Sequence, residues 1–178
     1  GKVDIIGSRI IDVMFGFPSF LLSLLVVAII GVGLWNVVFA VGLASIPHFA
    51  RIIRSAALQI KEEPYIEACV SMGFGKIRIM FNHILPNIIP IIIVVATMDL
   101  GGAIISIASL SFLGLGAQPP QPEWGAMLSS GREYMRYAPW TMIYPGLFLF
   151  LTVMSVNLLG DRLSQALDAR QSMGRGKN

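Results

Sequence analysis

Charged side chains are scarce in this sequence, 13% of its 178 residues, against 55% hydrophobic ones. Soluble globular domains carry about a quarter charged residues, so an ordinary water-soluble fold is excluded and a bilayer is indicated. Cysteine is nearly absent: Cys69 is alone, so no disulfide can close within the chain. The two histidines, His48 and His83, stand without a His-x-x-x-His spacing or a cysteine pair, which leaves no metal site to propose. Nine methionines are scattered along the chain, a pattern of membrane packing rather than of a soft-metal path. No Gly-x-x-x-x-Gly-Lys-Ser/Thr phosphate loop occurs, so ATP chemistry would have to reside on another chain. No cofactor is implied.

What the sequence does have is long apolar runs. A spanning helix needs about 20 mostly apolar residues. Four segments meet that length: Val13 to Val32, Leu34 to Ala50, Ile88 to about Leu113, and Trp140 to Leu159. The fold class expected is all-α, a polytopic membrane protein with four transmembrane helices. The net charge of +3 does not mark a nucleic-acid surface, because the basic residues are sorted by side. Lys2, Arg9, Arg51, Arg54, Lys61, Lys76, Arg78, Arg162, Arg170, Arg175 and Lys177 fall on one side of a four-span arrangement, and only Arg132 and Arg136 on the other. The positive-inside rule then makes both termini and the loop of about 55–87 cytoplasmic, and the loop of about 116–139 external. Cys69 would react with thiol reagents from the cytoplasmic side only.

Along the chain, Pro18 is read as tolerated within the first span. The second is read as ending at Pro47-His48, with Arg51 and Arg54 at the water interface. Pro64 and Glu67 suit the first turn of a short helix, and Gly73 and Gly75 break it. Ile77, Met80, Phe81 and Ile84 follow at helical spacing, predicting a second short amphipathic helix that leads to Leu85-Pro86. The third span is rich in small residues that let helices approach closely in lipid. Trp124 to Tyr137 suits an external interfacial helix. Asn157 and Asp161 are read as capping the last span. Gly174, Gly176 and the final Lys177-Asn178 read as disordered.

Three blocks carry a family resemblance. They are Tyr65-Ile-Glu-Ala-Cys-Val-Ser-Met-Gly73 with His83-Ile-Leu-Pro-Asn87; Leu110-Ser-Phe-Leu-Gly-Leu-Gly116 with Gln118-Pro-Pro and Pro122-Glu-Trp-Gly125; and Asn157-Leu-Leu-Gly-Asp161 with Leu167-Asp168 and Arg170. In this order they resemble permease subunits of dipeptide, oligopeptide and nickel ABC importers, over nearly the whole chain. The resemblance implies a cell-inner-membrane permease domain over 1–178, missing an N-terminal part with about two further spans. It implies two cytoplasmic ATP-binding subunits, a second and different permease subunit, an extracytoplasmic substrate-binding protein, and no enzyme activity in this chain. Tyr65, Glu67, Ala68, Gly73, Phe74, Leu85 and Pro86 would couple to the ATPase. Ala68 and Cys69 would permit close approach, Gly73 a tight turn, Phe74 would plug a partner pocket, and Glu67 would pair with a partner's basic residue or with Arg78. Cys69 departs from the alanine usual in the family, and Arg162, Ser164, Gln165 and Ala169 depart from its usual tail.

Asp99 is the single acid well inside a predicted span, where a carboxylate is costly. It could line the translocation path or meet a cationic substrate amine; the plainer alternative is that it snorkels or pairs with a residue outside this sequence. Three other functions compete with transport coupled to an ATPase. A secondary transporter or channel would carry polar residues in several spans, or repeat symmetry. An intramembrane protease built on Ser106, Ser109 or Ser111 would need a histidine at the same depth. A merely structural subunit would leave the polar loop unexplained.

Overall fold

The computed structural model describes the backbone of residues 2–175 and the side chains of residues 6–167. Among the described residues there is no strand, in keeping with the rule that a lipid-embedded backbone must satisfy its own hydrogen bonds. The helices are α1 (Lys2–Phe15), α2 (Ser19–Ile30), α3 (Leu34–Lys61), α4 (Pro64–Ser71), α5 (Lys76–Ile79), α6 (Leu85–Phe112), α7 (Trp124–Gly131) and α8 (Trp140–Arg175). Three stretches are long and apolar enough to cross a bilayer: Leu34–Lys61, Lys76–Phe112 and Trp140–Leu167. A bent pair, Ile6–Phe15 with Ser19–Ile30, makes a fourth only if both halves are counted together.

That bend corrects the first expected span. α1 and α2 meet at 98°, because Pro18 has no N–H to give and pushes Phe17 out of the helical region. Alone, the 12 residues of α2 rise about 18 Å, short of the roughly 30 Å hydrocarbon core. The other spans are longer than expected. α3 runs 28 residues with Pro47 inside it; one lost backbone bond is tolerable where neighbours pack closely, and Pro47 is buried. The second amphipathic helix does not stop before Pro86 but runs on as one 37-residue helix from Lys76 to Phe112. A π-helical turn over Met80–Ile84 absorbs the proline: the Leu85 N–H reaches back five residues to the Met80 carbonyl. α8 likewise passes through Asn157 and Asp161, which cap nothing, and it includes Gly174. The side chains of Lys2, Asp168, Arg170 and Arg175, and residues 176–178, lie outside the described part, as does the expectation of disorder at Gly176, Lys177 and Asn178.

α6 sits at the centre, packed by α3, α7 and α8; α2 packs on α3 and shares a small core with α3 and α6 around Val27, Val37 and Leu110. The buried residues are mostly small: Ser23, Val27, Val37, Ala40, Val41, Ala44, Ala108 and Ser111. The large apolar side chains, such as Phe148, Phe150, Leu151 and Leu158 on α8, point outward, an arrangement that suits lipid and not water. The Leu110–Gly116 block explains itself as a helix stop. Gly114 takes φ 82°, and its N–H bonds to the Ser111 carbonyl at 2.9 Å while the Leu115 N–H bonds to Leu110 at 3.0 Å. This is a Schellman cap, which needs glycine at its left-handed position. The Leu115 carbonyl then accepts from the Gly33 N–H at 2.9 Å, tying this stop to the α2–α3 turn. α7, expected as an interfacial helix, is wedged against α6 and α8. A Cβ on its Gly125 would overlap the Ala108 carbonyl, and the Glu123 carboxylate caps it by accepting from the Ala126 N–H at 2.8 Å.

Candidate functional site

Two places hold the residues singled out by sequence, and they lie on the same central helix. The first is the polar segment between α3 and α6. Pro64 opens α4 in its first turn, where no N–H is needed. The helix ends in a second Schellman cap: Gly73 at φ 79°, its N–H on the Val70 carbonyl at 2.9 Å and the Phe74 N–H on Cys69 at 3.1 Å. Beneath α4 lies a small apolar core of Ile66, Cys69 and Ile79, closed by Ile60, Phe74 and Ile84. The end of α3, all of α4 and the start of the long helix are thereby packed into one body.

Polar ties reinforce that body. The Asn87 amide donates to the Tyr65 hydroxyl at 3.3 Å and to the His83 carbonyl at 2.6 Å. The His83 ring stacks on Phe74 with centroids 6.1 Å apart, and its Nε2 lies 3.8 Å from the Cys69 sulfur. The Arg78 guanidinium covers the Phe74 ring at 4.6 Å. Burial, then the neighbouring Glu63 carboxylate and Cys69, push the Tyr65 phenol above its ordinary range. It therefore stays neutral, and its oxygen accepts from Asn87.

Three sequence expectations change here. Phe74 does not project as a plug; it is half-buried and packed within the loop. Arg78 is turned to Phe74 rather than to Glu67. Cys69 is buried at 6% exposure, a poor target for thiol reagents. The side chains left open to a partner are Tyr65, Glu67, Ala68, Leu85 and Pro86, with Gly73 at the turn. His83 and Asn87 are the residues whose bracing role sequence reasoning missed; their spacing of four on one helix face was the available signal.

The second place is Asp99. α3 continues past Pro47, so His48 lies in mid-span and not at a boundary. Its Nε2 sits 3.3 Å from Asp99 Oδ2. The acid has its partner within this chain. The pair opens on a cavity of about 620 Å³, whose other walls are the Gly16–Ser19 break, Ser23 and Ser45 on α2 and α3, and Gly102 and Ser106 on α6. A histidine therefore does reach the depth of the span serines. Two of the serine hydroxyls are spent on their own helix: Ser106 donates to the Gly102 carbonyl at 2.9 Å and Ser109 to Ile105 at 2.7 Å, while the Ser111 hydroxyl is buried without a hydrogen-bond partner. Ser111 is sealed against Gly116.

Asn157, expected at a helix end, instead marks the crossing of α8 over α6. A Cβ on Gly101 would overlap its Oδ1. Gly160, one turn on, faces Thr97 and Met98 at 3.5 Å. The third motif block is thus a close-packed seam on the flank of α6, opposite in role to the exposed loop.

Comparison with known proteins bears on the family. The chain is 53% identical over 170 residues to a glutathione transport system permease protein of Pectobacterium atrosepticum, covering 96% of this chain and 56% of that protein. It is 50% identical over 170 residues to the protein of that name from Escherichia coli, with the same coverages. To a dipeptide transport system permease protein of Alkalihalophilus pseudofirmus it is 46% identical over 168 residues, 94% of this chain and 55% of that one. The chain thus spans about half the length of the curated relatives it matches. The family pattern itself matches residues 1–173, and the chain belongs to the binding-protein-dependent transport system inner membrane components.

Proposed function

We propose that this chain forms the membrane-spanning part of an ATP-driven importer of peptides. Two cytoplasmic ATP-binding subunits dock on the exposed face of α4 and its Gly73 turn, and ATP is bound and hydrolysed on them. The observation that carries the reading is mechanical. A polar, solvent-facing platform is packed through its own apolar core onto a helix that runs without interruption from Lys76 to Phe112. Movement of the platform is then movement of the central span. A second, different permease subunit covers part of the outward apolar surface. An extracytoplasmic binding protein delivers ligand on the side of α7, and both termini of the chain belong to the cytoplasmic side of a prokaryotic cell membrane. Relatives named for glutathione and dipeptide transport favour peptides over nickel as cargo. Asp99 lines the path.

The competing reading, a transporter driven by an ion gradient, draws on the intramembrane His48–Asp99 pair. Reconstituted complex separates the two. Uptake of the dipeptide Ala-Ala into proteoliposomes should require ATP and the binding protein, and should persist when ion gradients are collapsed. Uptake driven by a proton or sodium gradient without ATP would overturn the proposal.

A further inference from the structure

The His48–Asp99 pair has a second property beyond lining a path. Each side chain is substantially open to the cavity, 53% and 38% exposed, so the carboxylate has room for a further donor. A carboxylate inside a span is expensive unless a donor covers it. α2 has no ionisable residue and α6 none besides Asp99. Of the cationic groups on the neighbouring α3, Arg51 lies over the Phe15 ring at 3.6 Å, Arg54 donates to the Ser8 hydroxyl, and Lys61 stands in the last turn, thirteen residues past His48. The imidazole is therefore the group that covers Asp99 in this structure. It does so by one exchangeable contact, not a bidentate clamp. The cavity, at about 620 Å³, falls in the range of roughly 300–1,000 Å³ typical of small-molecule sites.

We propose that Asp99 is a recognition point for a primary ammonium group of the transported ligand, and that His48 is its placeholder, covering the carboxylate between ligands and yielding it when an ammonium arrives. The inference rests on the importer reading above and names the ligand chemistry its path selects. An ammonium group brings the carboxylate three donors and a full positive charge. A ligand whose amine is acylated offers no charge and leaves His48 in place.

The test compares uptake of Ala-Ala and N-acetyl-Ala-Ala by reconstituted complex with one and the same binding protein, so that protein's own preference cancels between variants. Asp99→Asn should lower the preference for the free amine about tenfold or more. His48→Gln should keep that preference. Gly102→Leu supplies a second arm: an added Cβ there meets no atom within 4 Å, so the new side chain starts in open space and narrows the cavity, and uptake of both probes should fall together at unchanged assembly. An unchanged amine preference in Asp99→Asn, at unchanged assembly, overturns the proposal, as does loss of it in His48→Gln. Absence of ATP-dependent Ala-Ala uptake by the wild-type complex would instead sink the importer reading.

Discussion

Gly73 offers a way to separate backbone geometry from surface contact at the proposed docking platform. Its φ of 79° belongs to the left-handed region, and a Cβ added there meets nothing within 4 Å. Substitution therefore carries no clash inside the chain, and its cost is conformational. For an ordinary L-residue that cost is roughly 1–2 kcal/mol. It is higher for a β-branched residue and lower for asparagine, which visits this region readily. A penalty of about 2 kcal/mol shifts the balance between capped and uncapped α4 by a factor near 30. The uncapped form loses both the Phe74–Cys69 and Gly73–Val70 hydrogen bonds, and with them the seating of Phe74 on the small core. The expected order of transport per assembled complex is Gly, then Asn, then Ala, then Val, with co-purification of the ATP-binding subunits falling in parallel and membrane insertion unchanged. Asparagine is larger than alanine, so an order following side-chain volume would refute the argument. It would show that the partner's surface, not the turn, sets the constraint.

Other consequences can be checked directly. Gly101→Ala should destabilise the complex by up to about 1 kcal/mol, because its methyl group displaces the end of the Asn157 amide. Asn157→Ser should restore the melting temperature in the double variant, and an unrescued double variant would contradict the seam. Because Cys69 is buried, it should label slowly from either side. Glu67→Cys in a Cys69→Ser background should label quickly and only from the cytoplasm, and labelling in intact cells by an impermeant reagent would invert the topology. Tyr65→Phe removes the acceptor for Asn87 and should weaken ATPase-subunit binding modestly, by about 0.5–1.5 kcal/mol. In the wild type the raised Tyr65 pKa means that its contribution to folding stability is fully present below about pH 10 and is lost as pH rises further; Tyr65→Phe should flatten that alkaline loss in a pH series of thermal stability.

Apolar run length makes the spans legible, and the spacing of Gly73, Pro64 and Glu67 makes the loop helix legible. Helix ends are less so, for one recurrent reason. Pro47, Pro86 and Asp161 are strong stop signals in a water-exposed chain, yet here packing and a widened turn carry the helix through the two prolines. At Asp161 the residues that follow are ordinary helix formers, so nothing stops the helix at the change from apolar to polar sequence. Pro18 is the opposite case, tolerable by the general rule for spans but a true break here, since Gly16 precedes it and lowers the cost of leaving the helix. Ending α3 at Pro47 also hides the pairing of His48 with Asp99. Contact between two residues so far apart in the chain depends on how far each helix extends and how it is rotated, and neither is written in local periodicity.

The seam at Gly101 has a bearing on how far motion can travel along the central helix. Treated as a rigid rod pivoting at that tight crossing, the helix has unequal arms. At 1.5 Å per residue, Lys76 lies about 37 Å from the pivot and Phe112 about 16 Å on the other side. A sideways swing of the loop end would reach the opposite end reversed in direction and reduced a little more than twofold. Large, weakly resisted excursions at the platform would thus become small, forceful ones at the Leu110–Gly116 stop. Asp99, only a fraction of a turn from the pivot, would hardly move. The carboxylate would hold its place while the openings above and below it alternate.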